Sequence, residues 1–341
     1  MSATPSLATH RTSRRVFTAT IAGSLLAAPM FTFRAAAQDS SLKALATFSV
    51  LHDWVQNVAG DLIDLSVLVP AGGDTHTFDP APDQVAELTD AKLIFEIGLG
   101  FESWLDNIFA ASGSSAERVV VSEGIAVRTL TEGEEGHEHE EGEDDHDDHE
   151  DESATPADEH DHGDTDPHIW GNVQNAIIAI GTIRDALIAA DPDNTDAYTA
   201  NAEAYLGELE TLDAWVKSEV AKIPEEDRKL VTSHDALGYY TDAYGFTIVG
   251  TVLGLTTEEA EPSAQQVAEL VQQIQDSGVK AIFAETIENP AVIEAIAAEA
   301  GVVVGPELYT DALGEAGSDG DTYIKMITFN TNAIVSAILG E

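Results

Sequence analysis

The 341 residues carry 62 Asp and Glu against 15 Lys and Arg, a formal net charge of -47, with 43% hydrophobic residues and no cysteine. A surface this negative repels phosphate and excludes a nucleic-acid binder. The missing cysteines exclude disulfides, thiolate zinc fingers, cysteine nucleophiles and lipid attachment through Cys, so any chemistry rests on oxygen and nitrogen donors in a chain long enough for about two domains.

The first 37 residues read as an address. Ser13, Arg14, Arg15, Val16 and Phe17 form a twin-arginine pattern, an apolar stretch runs from Val16 to Phe33, and Ala35, Ala36 and Ala37 offer a small-residue cleavage site. Its removal takes four arginines and no acids, leaving 62 acidic against 11 basic residues. No later segment is expected to span a bilayer.

From Leu42 onward, short apolar runs alternate with helical patterns, which is the rhythm of α/β layers. The expected strands are Leu45 to Val50, Leu62 to Val69, Leu93 to Ile97, Val119 to Val121, Leu230 to Thr232, Thr247 to Thr251, Ala281 to Ala284 and Val302 to Val304. Four precede and four follow an insert, residues 131–165, that holds 18 acids and six histidines (His137, His139, His146, His149, His160 and His162) without Lys or Arg. Such a composition cannot build a core and is expected to stay disordered, collecting metal weakly. Between the two sets, Tyr198, Tyr205, Leu209, Leu212, Val216, Val220 and Ile223 recur at helical spacing until Pro224. Ser263 and Gln266 make a capping box for a helix that ends at Gly278. The expected division is a signal over 1–37, an α/β lobe over 38–190, a long linking helix over 191–224 that restrains hinge motion, and a second α/β lobe over 225–341. Each lobe is expected to hold a mostly parallel sheet flanked by helices.

Outside the signal and the insert only His52, His76, His168 and His234 remain. His76 and His234 follow strands, and His168 opens an amphipathic helix; ligands in open α/β sheets bind beyond the carboxyl ends of strands. Asp311, after the strand Val302 to Val304, is a fourth donor of the same kind. The intervals match no local metal motif, so spacing alone makes this only a candidate site. His52 reads as a helix-start residue with no ligand role. Glu285, at the end of the seventh strand, is placed to accept an imidazole N–H or to serve as a surface ion pair. Trp170 and Tyr239 read as aromatics packed around the site.

Several segments taken together resemble the successive motifs of the metal-binding solute receptors of zinc and manganese ABC transporters. They are residues 73–83 (GDTHTFDPAPD), 166–170 (DPHIW), 229–240 (KLVTSHDALGYY) and 309–311 (YTD). The similarity covers nearly all of the chain from residue 42. It implies two α/β lobes joined by one rigid helix, a metal at their interface, and ligand roles for His76, His168, His234 and Asp311. Thr75 departs from the pattern, standing where many relatives have Pro. Manganese receptors of the family commonly carry Glu at the position of His234, so the resemblance leans to zinc, as does a set of three imidazoles and one carboxylate.

The expected function is thus an exported receptor, periplasmic or extracytoplasmic, soluble or loosely anchored by its N-terminal segment. It is expected to act as a monomer that captures Zn²⁺ and hands it to an ABC-transporter permease, without turnover. The alternatives are a Mn²⁺ receptor of the same family, an exported zinc-dependent hydrolase, for which no HExxH pairing appears, and a metal-binding adhesin.

Overall fold

The computed structural model of the chain describes residues 41–129, 165–257, 262–287 and 289–341. The expected signal over 1–37 and the six histidines of the acidic insert lie outside the described residues.

All eight expected strands are present, with ends shifted by at most three residues. In the first lobe β1 (Leu42–Phe48), β2 (Ile63–Val69), β3 (Leu93–Glu96) and β4 (Glu117–Val120) form a parallel sheet in the order β2-β1-β3-β4. From Ala44 to Phe48, β1 is buried on both faces, as a central parallel strand covered by helices must be. It stops two residues earlier than its apolar run, because Ser49 and Val50 already begin α1 (Ser49–Ala59). Helices α2 (Pro82–Asp90) and α3 (Leu105–Ser112) complete the lobe.

Next come α4 (Val173–Ala190) and the long helix α5 (Thr195–Val220). At 1.5 Å per residue α5 is about 39 Å long. Its buried stripe of Tyr198, Ala202, Tyr205, Leu209, Leu212, Val216 and Val220 recurs every three or four residues, and α1, α4 and the last helix (Tyr323–Leu339) pack against it. Contrary to the sequence expectation, α4 is also long and apolar enough by composition to cross a membrane. Here it is a core helix: Val173, Ala176, Ala179, Ile180, Ile183 and Leu187 are fully buried, and it packs on α1 and α5.

The second lobe has β5 (Lys229–Thr232), α6 (Gly238–Tyr244), β6 (Thr247–Thr251), α7 (Ala264–Ser277), β7 (Ala281–Ile282), α8 (Ala291–Ala300), β8 (Val303–Val304) and α9 (Tyr323–Leu339). The capping box of Ser263 with Gln266 opens α7, and Gly278 closes it at φ 71°. The strands pair in parallel as β5 with β6 and β7 with β8, and Phe283 N donates to Val231 O (2.9 Å) between the two ladders. Seen along that bond, the order β6-β5-β7-β8 repeats the order β2-β1-β3-β4. The β7–β8 pairing is interrupted after two residues and resumes further on, where Leu308 N donates to Ala284 O (2.9 Å), Thr286 N donates to Leu308 O (3.0 Å) and Glu285 meets Leu308 in an isolated parallel bridge. The molecule is thus a two-lobed α/β fold joined by a long helix.

Candidate metal centre

Four side chains from four separate segments converge. His76 follows β2, His168 precedes the 3-10 turn Ile169–Gly171, His234 follows β5, and Asp311 follows the bridge at Leu308. All four are buried, and one donor atom from each lies within 4.8 Å of the others. Asp311 sits in the middle. Its Oδ2 is 3.1 Å from His76 Nε2 and 3.0 Å from His234 Nε2, and its Oδ1 is 3.6 Å from His168 Nε2. Donors around a tetrahedral ion bonded at about 2.1 Å are separated by about 3.4 Å, so these spacings suit a shared cation. His76 Nε2, His168 Nε2 and Asp311 Oδ1 are buried without a hydrogen-bond partner. Orphaned polar atoms are costly in a core, and an ion bound among them would satisfy all three. His52 lies inside α1 and is not part of the cluster.

Each imidazole is aimed by what stands behind it. His234 Nδ1 is 2.6 Å from Glu285 Oε2, and Glu285 Oε1 accepts the backbone N–H of His234 (2.8 Å). Thr310, next to Asp311, donates its hydroxyl to Glu285 Oε2 (2.8 Å). Glu285 is fully buried against His234 and not at the surface. His168 is served in the same way by a residue that sequence reasoning missed: Asp166 Oδ1 accepts the His168 backbone N–H (2.9 Å) and lies 2.8 Å from Nδ1. A carboxylate two residues before a candidate ligand was the available signal. Both rings therefore turn Nε2 toward Asp311 at the centre.

His76 is held by its loop. Asp74 Oδ1 accepts the His76 backbone N–H (2.9 Å), and the Thr75 carbonyl accepts from Trp104 Nε1 (2.8 Å). Thr75 is fully buried, so neighbours supply the stiffness that Pro would have given. Phe101 packs edge-on to His76 at 5.0 Å and lies 4.8 Å from Trp170, which itself stands 5.3 Å from His168. Phe101 also escaped the sequence reading. It is presented by the turn Gly98-Leu99-Gly100, whose three residues all have positive φ. Behind the turn is Glu102, whose carboxylate accepts from Ile97 N, Gly98 N and the Thr47 hydroxyl. Trp170 and Tyr239 line the surroundings as expected: Trp170 Nε1 donates to the Thr310 carbonyl, and Tyr239 donates its hydroxyl to the Asp166 carbonyl.

Electrostatics poise the centre for a cation. Burial by itself would lower the His234 pKa, but the carboxylates of Glu285 and Asp311 raise it well above 6.5. Burial pushes Asp311 the other way from its neighbours, and His234 and His168 hold its carboxyl well below the usual range.

The comparisons with known proteins agree with this arrangement. The family described as "Zinc-uptake complex component A periplasmic" matches residues 45–337. The manganese-binding lipoprotein MntA of Halalkalibacterium halodurans is 33% identical over 297 residues, covering 87% of this chain and 88% of that protein. The manganese ABC transporter substrate-binding lipoprotein PsaA of Streptococcus pneumoniae is 30% identical over 303 residues, 87% of this chain and 89% of its own. Among solved structures, the periplasmic zinc-binding protein TroA of Treponema pallidum superposes with a TM-score of 0.74 at 30% identity, over 87% of this chain and 99% of that one. A manganese-bound periplasmic metal-binding protein of Candidatus Liberibacter asiaticus gives 0.71 at 26% identity, with the same coverage. The hydrolase alternative falls away with this kinship, and so does any preference for zinc that rests on kinship alone. The chain belongs to the family of extracytoplasmic solute-binding receptors that deliver a divalent metal, zinc or manganese, to an ABC-transporter permease without catalytic turnover.

Proposed function

We propose that His76, His168 and His234, each through Nε2, and Asp311 are the metal ligands, and that the cargo is Mn²⁺. The observation that carries the ligand set is the convergence of four buried donors from both lobes, with partnerless atoms facing the centre. For manganese, the support is the naming of the curated relatives MntA and PsaA and the free second oxygen of Asp311. Chelation through both carboxylate oxygens makes a five-donor shell, closer to the oxygen-rich, expandable coordination that Mn²⁺ favours.

Zinc is the second reading, favoured by the three nitrogens of the donor set and by the likeness to TroA. Zinc will bind the isolated site more tightly in either case, because the Irving–Williams order places Mn²⁺ lowest. Affinity in a tube therefore does not identify the cargo. The deciding experiment deletes the gene and measures growth and cell metal content under separate manganese and zinc limitation. Loss of manganese uptake, restored by the wild-type gene but not by H168A, is expected; a deficit in zinc alone would establish the zinc reading instead. In this proposal residues 1–37 are the export signal, and the lobes run over 38–190 and 225–341 around a linking segment over 191–224.

A further inference from the structure

The acidic insert is flanked in sequence by Arg128 and Thr129 on one side and by Thr165 and Asp166 on the other, and these flanks are tied together. Asp166 N donates to Arg128 O (3.0 Å), and Thr129 bridges Thr165 in antiparallel pairing. This tie is pinned to α6 of the other lobe. Arg128 N donates to the Tyr239 hydroxyl (2.8 Å), which in turn donates to the Asp166 carbonyl (3.2 Å).

The side chain of Arg128, only 12% exposed, reaches into a group of three acids. Its Nη1 is 3.3 Å from Asp166 Oδ2 and 3.8 Å from Asp235 Oδ2, and its Nε is 3.4 Å from Asp242 Oδ2. Asp166 divides its carboxylate between two tasks: Oδ2 faces Arg128, and Oδ1 holds both the backbone N–H and Nδ1 of His168. Gly238 closes over the pair so tightly that a Cβ there would stand 2.5 Å from Asp166 Oδ2 and 2.6 Å from Arg128 Nη1. Only glycine lets the start of α6 lie against the pair.

We propose that Arg128 is a positioning residue for metal capture, holding Asp166 where it fixes the His168 ring and tying the first lobe to the second beside His234. The inference rests on the reading of His168 as a ligand. The physical reason is charge balance in a buried place. Asp166 and Asp235 are two acids packed near each other, and the guanidinium between them cancels their repulsion. Without it the Asp166 carboxylate is driven away, His168 Nδ1 loses its acceptor, and the ring no longer keeps Nε2 as the lone-pair nitrogen facing the centre. The arrangement also couples the root of the His-rich insert directly to one ligand.

The test uses the full chain, with Zn²⁺ as the probe in competition with a chelator. R128M is expected to weaken binding by about ten- to a hundredfold, the range for loss of a ligand-orienting partner. R128K keeps the charge but not the fork and is expected to fall between R128M and wild type. D242N, at an acid 67% exposed on the far side of Arg128, should stay within about twofold of wild type. Nitrogen-15 spectra of the metal-free protein should show His168 as one tautomer with hydrogen on Nδ1 in the wild type, and as a mixture in R128M. A general packing defect would not move that signature. Wild-type affinity and an unchanged tautomer in R128M overturn the inference; should R128M not fold, unchanged affinity in R128K does so. H168A separates the two readings, because retention of tight binding there removes His168 from the ligand set, whatever Arg128 does.

Discussion

Each of two imidazoles in the centre has a dedicated carboxylate behind it, Asp166 for His168 and Glu285 for His234, while Asp311 faces all three rings. In the proposed ligand set that division separates the acids behind the rings from the acid at the centre, and it shapes any attempt to alter metal choice. Replacing His234 by Glu turns the set from three nitrogens to two and hardens the shell toward Mn²⁺. The new carboxylate would face Glu285 across the 2.6 Å contact that an imidazole now makes, so the substitution belongs with E285Q. In H234E/E285Q the zinc-to-manganese affinity ratio is expected to narrow by about tenfold or more without reversing, since zinc still leads in the Irving–Williams order. Competition titrations on wild type and double variant decide it; an unchanged ratio in a folded double variant would take His234 out of the ligand set.

At the level of elements, the centre is closed by loops that cross between lobes. Gly72 N donates to the Leu313 carbonyl, and Leu313 N donates to Ser49 Oγ (both 2.9 Å). A more exposed link joins the loop after β6 to the His76 loop: Thr257 donates its hydroxyl to Asp74 Oδ2 (2.7 Å), and Thr77 donates to the same oxygen (2.8 Å). Asp74 holds the His76 backbone with its other oxygen, so this link ties the second lobe to the placing of His76. A hydrogen bond to a carboxylate contributes about 1.5 kcal/mol at the low end, equivalent to roughly tenfold in rate. T257V should release metal about tenfold faster with little change in association, and T257S should restore the wild-type rate. Stopped-flow release into excess chelator measures both; equal release from T257V and wild type would mean that closure does not depend on this bond.

For the whole molecule, acidity is both a surface property and an internal load. Burial pushes the Glu102 carboxyl up to about 7 against the pull of the Ile97 and Gly98 amides and the Thr47 hydroxyl. Burial likewise lifts Asp53 to about 6, against hydrogen bonds from Tyr323 N and the Tyr205 hydroxyl. Folded pKa values above the unfolded ones mean that the native state binds more protons between them, so stability falls as pH rises through that window. For Glu102 the loss accumulates from about pH 4.5 to 7 and is on the order of 3 kcal/mol. E102Q, which resembles the protonated acid, should lose that share of the pH dependence, and the smaller Asp53 share should remain. Urea unfolding of metal-free protein at pH 5 and pH 8 reads the difference, and identical pH dependence in E102Q and wild type would refute the account. A second expectation concerns the acidic insert. Because the tight centre draws on four rigid segments and Arg128 ties the insert at its root, deleting residues 132–164 should preserve one tight Zn²⁺ equivalent in calorimetry while weaker ones disappear.

The strand positions, the linking helix with its Tyr198-to-Val220 stripe, the capping box at Ser263 and the histidines His76, His168 and His234 with Asp311 were all legible in the sequence. They follow from local rules: periodicity selects the element, capping chemistry ends it, and strand-end loops are where α/β folds bind. The resemblance of the four motif segments then pointed to one site. What local rules do not carry is pairing across distance. That Asp166 serves His168 while Glu285 serves His234, that Phe101 and not His52 comes to the centre, and that Arg128 bridges three acids were decided by the packing of two lobes along one helix. A side chain's partner is set by which surfaces meet in space, and no spacing along the chain records that. The difference is plainest at α4, whose composition alone would suit a membrane, and which the fold spends on the core between α1 and α5.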